Sequence, residues 1–152
     1  MTKKILVAID LAEEPAQAVL RRLQEVRDPG DEVDVLHVVE AQYVQYSFDP
    51  TFVGGMVERL EQAALEAASA RLAELCAGHD IDAEHQHVSL GRAASTIRDE
   101  AGANSVDLIV MGSHGAHGWR RLLGSTASGV LHGTPTNVLI CRLEEQSTGA
   151  LS

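Results

Sequence analysis

The sequence predicts a single doubly wound α/β domain with a parallel sheet, and three observations carry the prediction. First, four short runs at residues 5–9, 33–39, 106–111 and 138–141 are rich in Val, Ile and Leu and nearly continuous. Strands buried on both faces of a parallel sheet read this way, whereas half-exposed strands alternate. Second, segments with helical spacing separate these runs. Third, a glycine-rich stretch follows one buried run and leads into a helix, which is where open α/β sheets bind ligands.

Taken in order, residues 5–9 form the first strand and end at Asp10. Pro15 suits a first helical turn after Glu13 and Glu14, and Val19, Leu20, Leu23 and Val26 follow at helical spacing. Asp28-Pro29-Gly30 stops that helix before the second strand, residues 33–39. Residues 41–52 form the one long connection, and Tyr43, Tyr46, Phe48 and Phe52 there are four of the five aromatics in the chain. Such a cluster serves as a lid, as a partner contact, or as a cap on the core.

Residues 53–76 place Val53, Met56, Val57, Leu60, Ala64, Ala67, Leu72, Leu75 and Cys76 on one stripe, the pattern of an amphipathic helix. Residues 81–88 alternate, as an edge strand does, and carry His85 and His87. Gly91 is expected to open a third helix with Ala94, Ile97 and Ala101 inward. A fourth helix starts at Gly124-Ser125 and runs to about His132, where Gly133-Thr134-Pro135 breaks it. The order is β-α-β-α-β-α-β-α-β, with a domain over residues 1–143 and a short polar tail over residues 144–152.

Composition excludes several classes of function. The chain has 152 residues, 45% apolar and 22% charged, as an ordinary globular domain does. Its formal net charge is -10, from 22 acids against 12 bases, and no basic run forms a patch. That surface repels a phosphate backbone, which argues against nucleic-acid binding. The apolar run at residues 5–9 is too short for a signal peptide or a membrane span, so a cytoplasmic protein without a membrane partner is expected. Cys76 and Cys141 follow neither a zinc nor a redox spacing and are expected in the core.

Residues 111–126 hold the chemistry. Gly112 and Gly115 let a ligand approach the backbone, with no Cβ in the way. Gly124, Ser125 and Thr126 offer backbone N–H groups at a helix start and two hydroxyls, a combination that suits a phosphate. The alternative is a flexible turn whose hydroxyls only cap the helix. No lysine follows Lys4, so a Walker loop is excluded, and residues 10–20 lack the glycines of a dinucleotide fingerprint. His85 with His87, or His114 with His117, present a two-histidine metal spacing without a compact third ligand, so no metal site is expected.

The opening Ile5-Leu6-Val7-Ala8-Ile9-Asp10, the strand end Leu36-His37-Val38, and Gly112-Ser113-His114-Gly115 followed by Gly124-Ser125-Thr126-Ala127 together resemble the universal stress protein family. The likeness covers roughly residues 3–142. It implies a Rossmann-like five-stranded parallel sheet in the order 3-2-1-4-5, pairing of two copies through the last strand and, in one branch, ATP binding. By that resemblance, Asp10 and Val38 hold the adenine with Ala8 at its edge. Met111 and Gly112 line the base and ribose, and Gly115, Gly124, Ser125 and Thr126 hold the phosphates of ATP, ADP or AMP, with Mg²⁺ as a companion ion. The nucleotide-binding branch has nine residues between its last two motif glycines, and here eight separate Gly115 from Gly124. A nucleotide-free, dimeric interaction protein of the shorter-loop branch is the alternative. No catalytic residue is assigned; any ATPase activity is expected to be very slow, because residues 112–126 contain no acid, amide or lysine.

Overall fold

The computed structural model describes residues 2–40, 55–113 and 123–143. Five strands, β1 (Lys4–Ala8), β2 (Glu32–Glu40), β3 (Gln86–Gly91), β4 (Leu108–Gly112) and β5 (Asn137–Cys141), form one sheet in the order β3-β2-β1-β4-β5. Every neighbouring pair is parallel. The helices are α1 (Glu13–Val26), α2 (Met56–Cys76), α3 (Ala93–Ala103) and α4 (Ser125–Gly133). The expected strand order and the parallel arrangement are both present.

The apolar runs are continuous because the sheet is covered on both sides. Ile5, Val7 and Ile9 pack under α1 and α2 with Val33, Val35, Leu20, Leu23, Leu72 and Leu75. The intervening Leu6 and Ala8 face the other layer, with Leu36, Val38, Ile97, Ile109, Met111, Ala127 and Val130. Successive residues of a strand point to opposite faces, so a strand buried twice needs apolar side chains at both parities. Burying one such large aliphatic side chain contributes about 1.5–3 kcal/mol.

Three local readings are corrected. The strand expected at residues 81–88 starts only at Gln86, because Ala83–His85 forms a 3₁₀ turn first. It then runs through Gly91, so Gly91 ends a strand and the third helix opens at Ala93. In α2 the buried residues are Ala68, Leu72, Leu75 and Cys76, whereas Met56 and Leu60 are 44% and 42% exposed and Ala67 is exposed. The periodicity is real, but only its C-terminal half meets α1 and the sheet among the described residues. The aromatic cluster at residues 41–52 lies outside the described residues.

Cys76 and Cys141 are free and buried, as expected. Burial pushes the Cys76 thiol up to about 11 and raises that of Cys141, so both stay protonated and unreactive at neutral pH. Among the described residues no helix is long and apolar enough to cross a membrane.

Candidate functional site

A cavity of about 540 Å³ opens beyond the C-terminal ends of β1, β2 and β4, within the range of small-molecule sites. It lies where the order reverses around β1, since β1 connects onward to β2 on one side and β4 lies on the other. Of the residues singled out from sequence, Ala8, Asp10, Val38, Met111, Gly112, Ser125 and Thr126 line it. Gly124 caps α4 next to Ser125 and is not itself in the lining. Gly115, with His114, His117, Arg120 and Arg121, lies outside the described residues.

Each wall has a local cause. Asp10 follows β1, and its carboxylate accepts the N–H of the next residue, Leu11, at 2.8 Å. His37 lines the cavity, and its Nδ1 is 2.9 Å from the Ile9 carbonyl. A carbonyl only accepts, so Nδ1 carries the proton and ties the ends of β1 and β2 together. Ile9 N–H also donates to the Leu36 carbonyl at 3.1 Å, extending that tie past the strand. At Gly112, a Cβ would come within 3.1 Å of Leu143 Cδ1 and 3.5 Å of Val19 Cγ2. Glycine therefore lets the chain after β5 close over the cavity's edge.

Two helices begin at this cavity, and their N-termini are treated differently. Ala93, the first residue of α3, lines the cavity and donates its N–H to Glu40 Oε1 at 3.0 Å. The carboxylate at the end of β2 thus offsets the positive end of that helix. α4 has no side-chain cap from its N-cap Gly124, and its first N–H groups, at Ser125 and Thr126, lack intrahelical partners as at every helix start. The Gly124 N–H, expected to be free, is not: it donates to the Ser113 carbonyl at 2.7 Å and fixes the entry into α4. The donors that this helix start presents to the cavity are consequently the N–H groups and hydroxyls of Ser125 and Thr126.

Asp10 and Glu40 are the charged side chains among the described lining residues, with no lysine or arginine beside them. Such a cavity suits the uncharged, hydroxyl- and amine-bearing part of a ligand, with any anionic part at the start of α4. Sequence reasoning missed ten lining residues, among them Leu36, His37, Glu40, Ala93, Ile97 and Leu143. His37 and Glu40 follow from reading one strand end further, whereas Leu143 carries no local signal.

Away from the cavity, His85 and His87 do share a third group: Asp34 Oδ1 lies 3.0 Å from His85 Nδ1 and 2.8 Å from His87 Nε2. Carboxylates only accept, so both rings donate to one oxygen. Among the described residues no group of three His, Cys, Asp or Glu is arranged to hold a metal ion.

The family model described as "Universal stress protein family" matches residues 1–142. The chain is 35% identical over 143 residues to universal stress protein A homolog 2 of Coxiella burnetii, covering 93% of this chain and 96% of that one. Its fold is similar to that of the hypothetical protein MJ0577, with TM-score 0.79 at 23% identity over 95% of this chain and 99% of that one. A universal stress protein in complex with cAMP is similar at TM-score 0.57 and 22% identity, over 94% of this chain and 98% of that one.

Proposed function

Because the chain belongs to the universal stress protein family, we propose that its cavity binds an adenine nucleotide and that the domain acts as a nucleotide-dependent sensor or carrier in the cytoplasm. The observation that carries this reading is the pairing of an uncapped α4 start with a cavity of about 540 Å³ lined by Asp10, Val38, Met111 and Gly112. Ser125 and Thr126 take the phosphates through N–H and hydroxyl groups and Gly124 sets the approach; Gly115, the remaining phosphate residue of this reading, lies outside the described residues. Asp10 and Val38 hold the adenine with Ala8 at its edge, and Met111 and Gly112 line the base and ribose. The relative in complex with cAMP supports this, since cAMP is itself an adenine nucleotide.

The ligand class is ATP, ADP or AMP, with Mg²⁺ on the phosphates of the longer forms and a serine or threonine hydroxyl within its reach. Hydrolysis is at most very slow, because the described lining supplies no lysine and residues 112–126 contain no acid or amide. The acidic lining favours a second reading, a nucleotide-free interaction domain that pairs with a second copy along the open edge of β5.

Heat-denaturing the purified protein and identifying released nucleotide by chromatography and mass spectrometry separates the two, with calorimetric titration of ATP as the second arm. Adenine nucleotide in the supernatant, or saturable ATP binding, supports the first reading. An empty supernatant together with no heat at millimolar ATP leaves the second.

A further inference from the structure

From the placement of one carboxylate we infer that Glu40 is the specificity residue for the base, selecting a 6-amino purine over a 6-oxo purine. The inference rests on the cavity being a purine nucleotide site. Glu40 is the last residue of β2, two beyond Val38 and therefore on the same face of the strand. It lines the cavity together with Val38, Val39 and Ala93. Its Oε1 is pinned by the Ala93 N–H at 3.0 Å, which fixes the carboxylate against the cavity wall where α3 begins. Its other oxygen has no hydrogen-bond partner among the described residues.

The chemistry of that oxygen decides what it tolerates. A carboxylate has lone pairs and no proton, so it accepts and never donates. The 6-amino group of adenine is a donor and satisfies it. The 6-oxo group of hypoxanthine or guanine is an acceptor, and would set two sets of lone pairs against each other in a half-enclosed space. A site built around a hydrogen bond rejects an analogue that cannot make it far more strongly than an apolar pocket rejects a size change. The pinning matters as much as the charge, because a mobile glutamate would swing into solvent and discriminate little.

Glu40→Gln tests this in the full chain. Its amide oxygen still accepts from Ala93, while its NH₂ now donates to a 6-oxo group. Competition titrations use ATP and inosine triphosphate, which share ribose and phosphates. The wild type is expected to bind ATP about 10- to 100-fold more tightly, the range of one charged hydrogen bond. In Glu40→Gln the ratio is expected to fall to within about threefold or to invert. Equal affinities in the wild type, or an unchanged ratio in the variant, would overturn the inference while leaving nucleotide binding intact. Failure of both triphosphates to bind the wild type would overturn the cavity reading and the inference with it. A readout that needs no variant is purine riboside triphosphate, which carries hydrogen at position 6. It is expected to bind the wild type about 10-fold more weakly than ATP, and equal binding would refute a role for the 6-amino contact.

Discussion

Gly124→Asp places a negative charge at the point where the proposed site needs an anion acceptor. Gly124 is the N-cap of α4, with φ −60° and ψ 156°, angles that aspartate adopts without strain. Its N–H and carbonyl are already engaged, with the Ser113 carbonyl at 2.7 Å and the Ser128 N–H at 2.9 Å. The substitution leaves both backbone bonds in place. An aspartate there caps the first turn itself, so it competes with phosphate for the N–H groups of Ser125 and Thr126. It also repels the phosphate: two unit charges about 4 Å apart interact by about 4 kcal/mol near a protein surface and about 1 kcal/mol in bulk water. The α4 start is partly exposed, so about 2–4 kcal/mol is the expected loss, a weakening of ATP binding by roughly 30- to 700-fold. The helix itself gains a few tenths of a kcal/mol from the better cap. Calorimetric titration with ATP and a thermal melt of the free protein should therefore move in opposite directions. Gly124→Ser, an uncharged cap, is the control and should weaken binding by no more than about 10-fold. Equal ATP affinity in wild type and Gly124→Asp would refute the reasoning, as would a loss of binding that tracks a fall in melting temperature.

Leu72 of α2 is 1% exposed among the α1 and sheet side chains, so Leu72→Ala should cost about 2–5 kcal/mol, read from urea denaturation; Met56→Ala, at an exposed position of the same helix, should cost well under 1 kcal/mol. The Asp34 hydrogen bond raises the His85 pKa above 6.5, so this contribution is full below pH 6.5 and is lost as pH rises through the raised value. Burial works against the ionised Asp34, but hydrogen bonds from His87 and His85 outweigh it and lower its pKa, so its contribution is present above 3.8 and lost as pH falls through the lowered value. Denaturation midpoints should thus show a wild-type advantage over Asp34→Asn that is larger at pH 5.5 than at pH 8.5; no pH dependence in that difference would contradict the shared carboxylate. For pairing through β5, whose outer edge is open in the sheet order, light scattering should give a dimer that Leu139→Lys or Ile140→Lys converts to monomer, and a monomeric wild type at micromolar concentration would count against it.

Strand and helix identities were legible because hydrophobic periodicity is a local property. Each of β1, β2, β4 and β5 must feed two layers, and the nearly unbroken Val, Ile and Leu runs state this without reference to any other part of the chain. The edge strand β3 was legible as a strand but not in its bounds: its alternating residues 81–85 carry the same pattern as a 3₁₀ turn. The exposed half of α2 shows the matching failure, since an apolar stripe shows which face can be buried and not whether a partner lies there.

The sequence by itself thus determined the fold class, the strand set and the cluster of Gly112, Ser125 and Thr126 at a strand end. Glycine chemistry and hydroxyls at a helix start act over a few residues, so they can be read over a few residues. Tertiary structure alone decided which polar groups meet. Glu40 caps a helix that begins 53 residues later, Asp34 gathers histidines more than 50 residues away, and Leu143 packs where a side chain on Gly112 would stand. These contacts depend on the register between strands that are neighbours in space and distant in the chain. A hydrogen bond needs its partner within about 3 Å, and no local pattern of residue types encodes that distance.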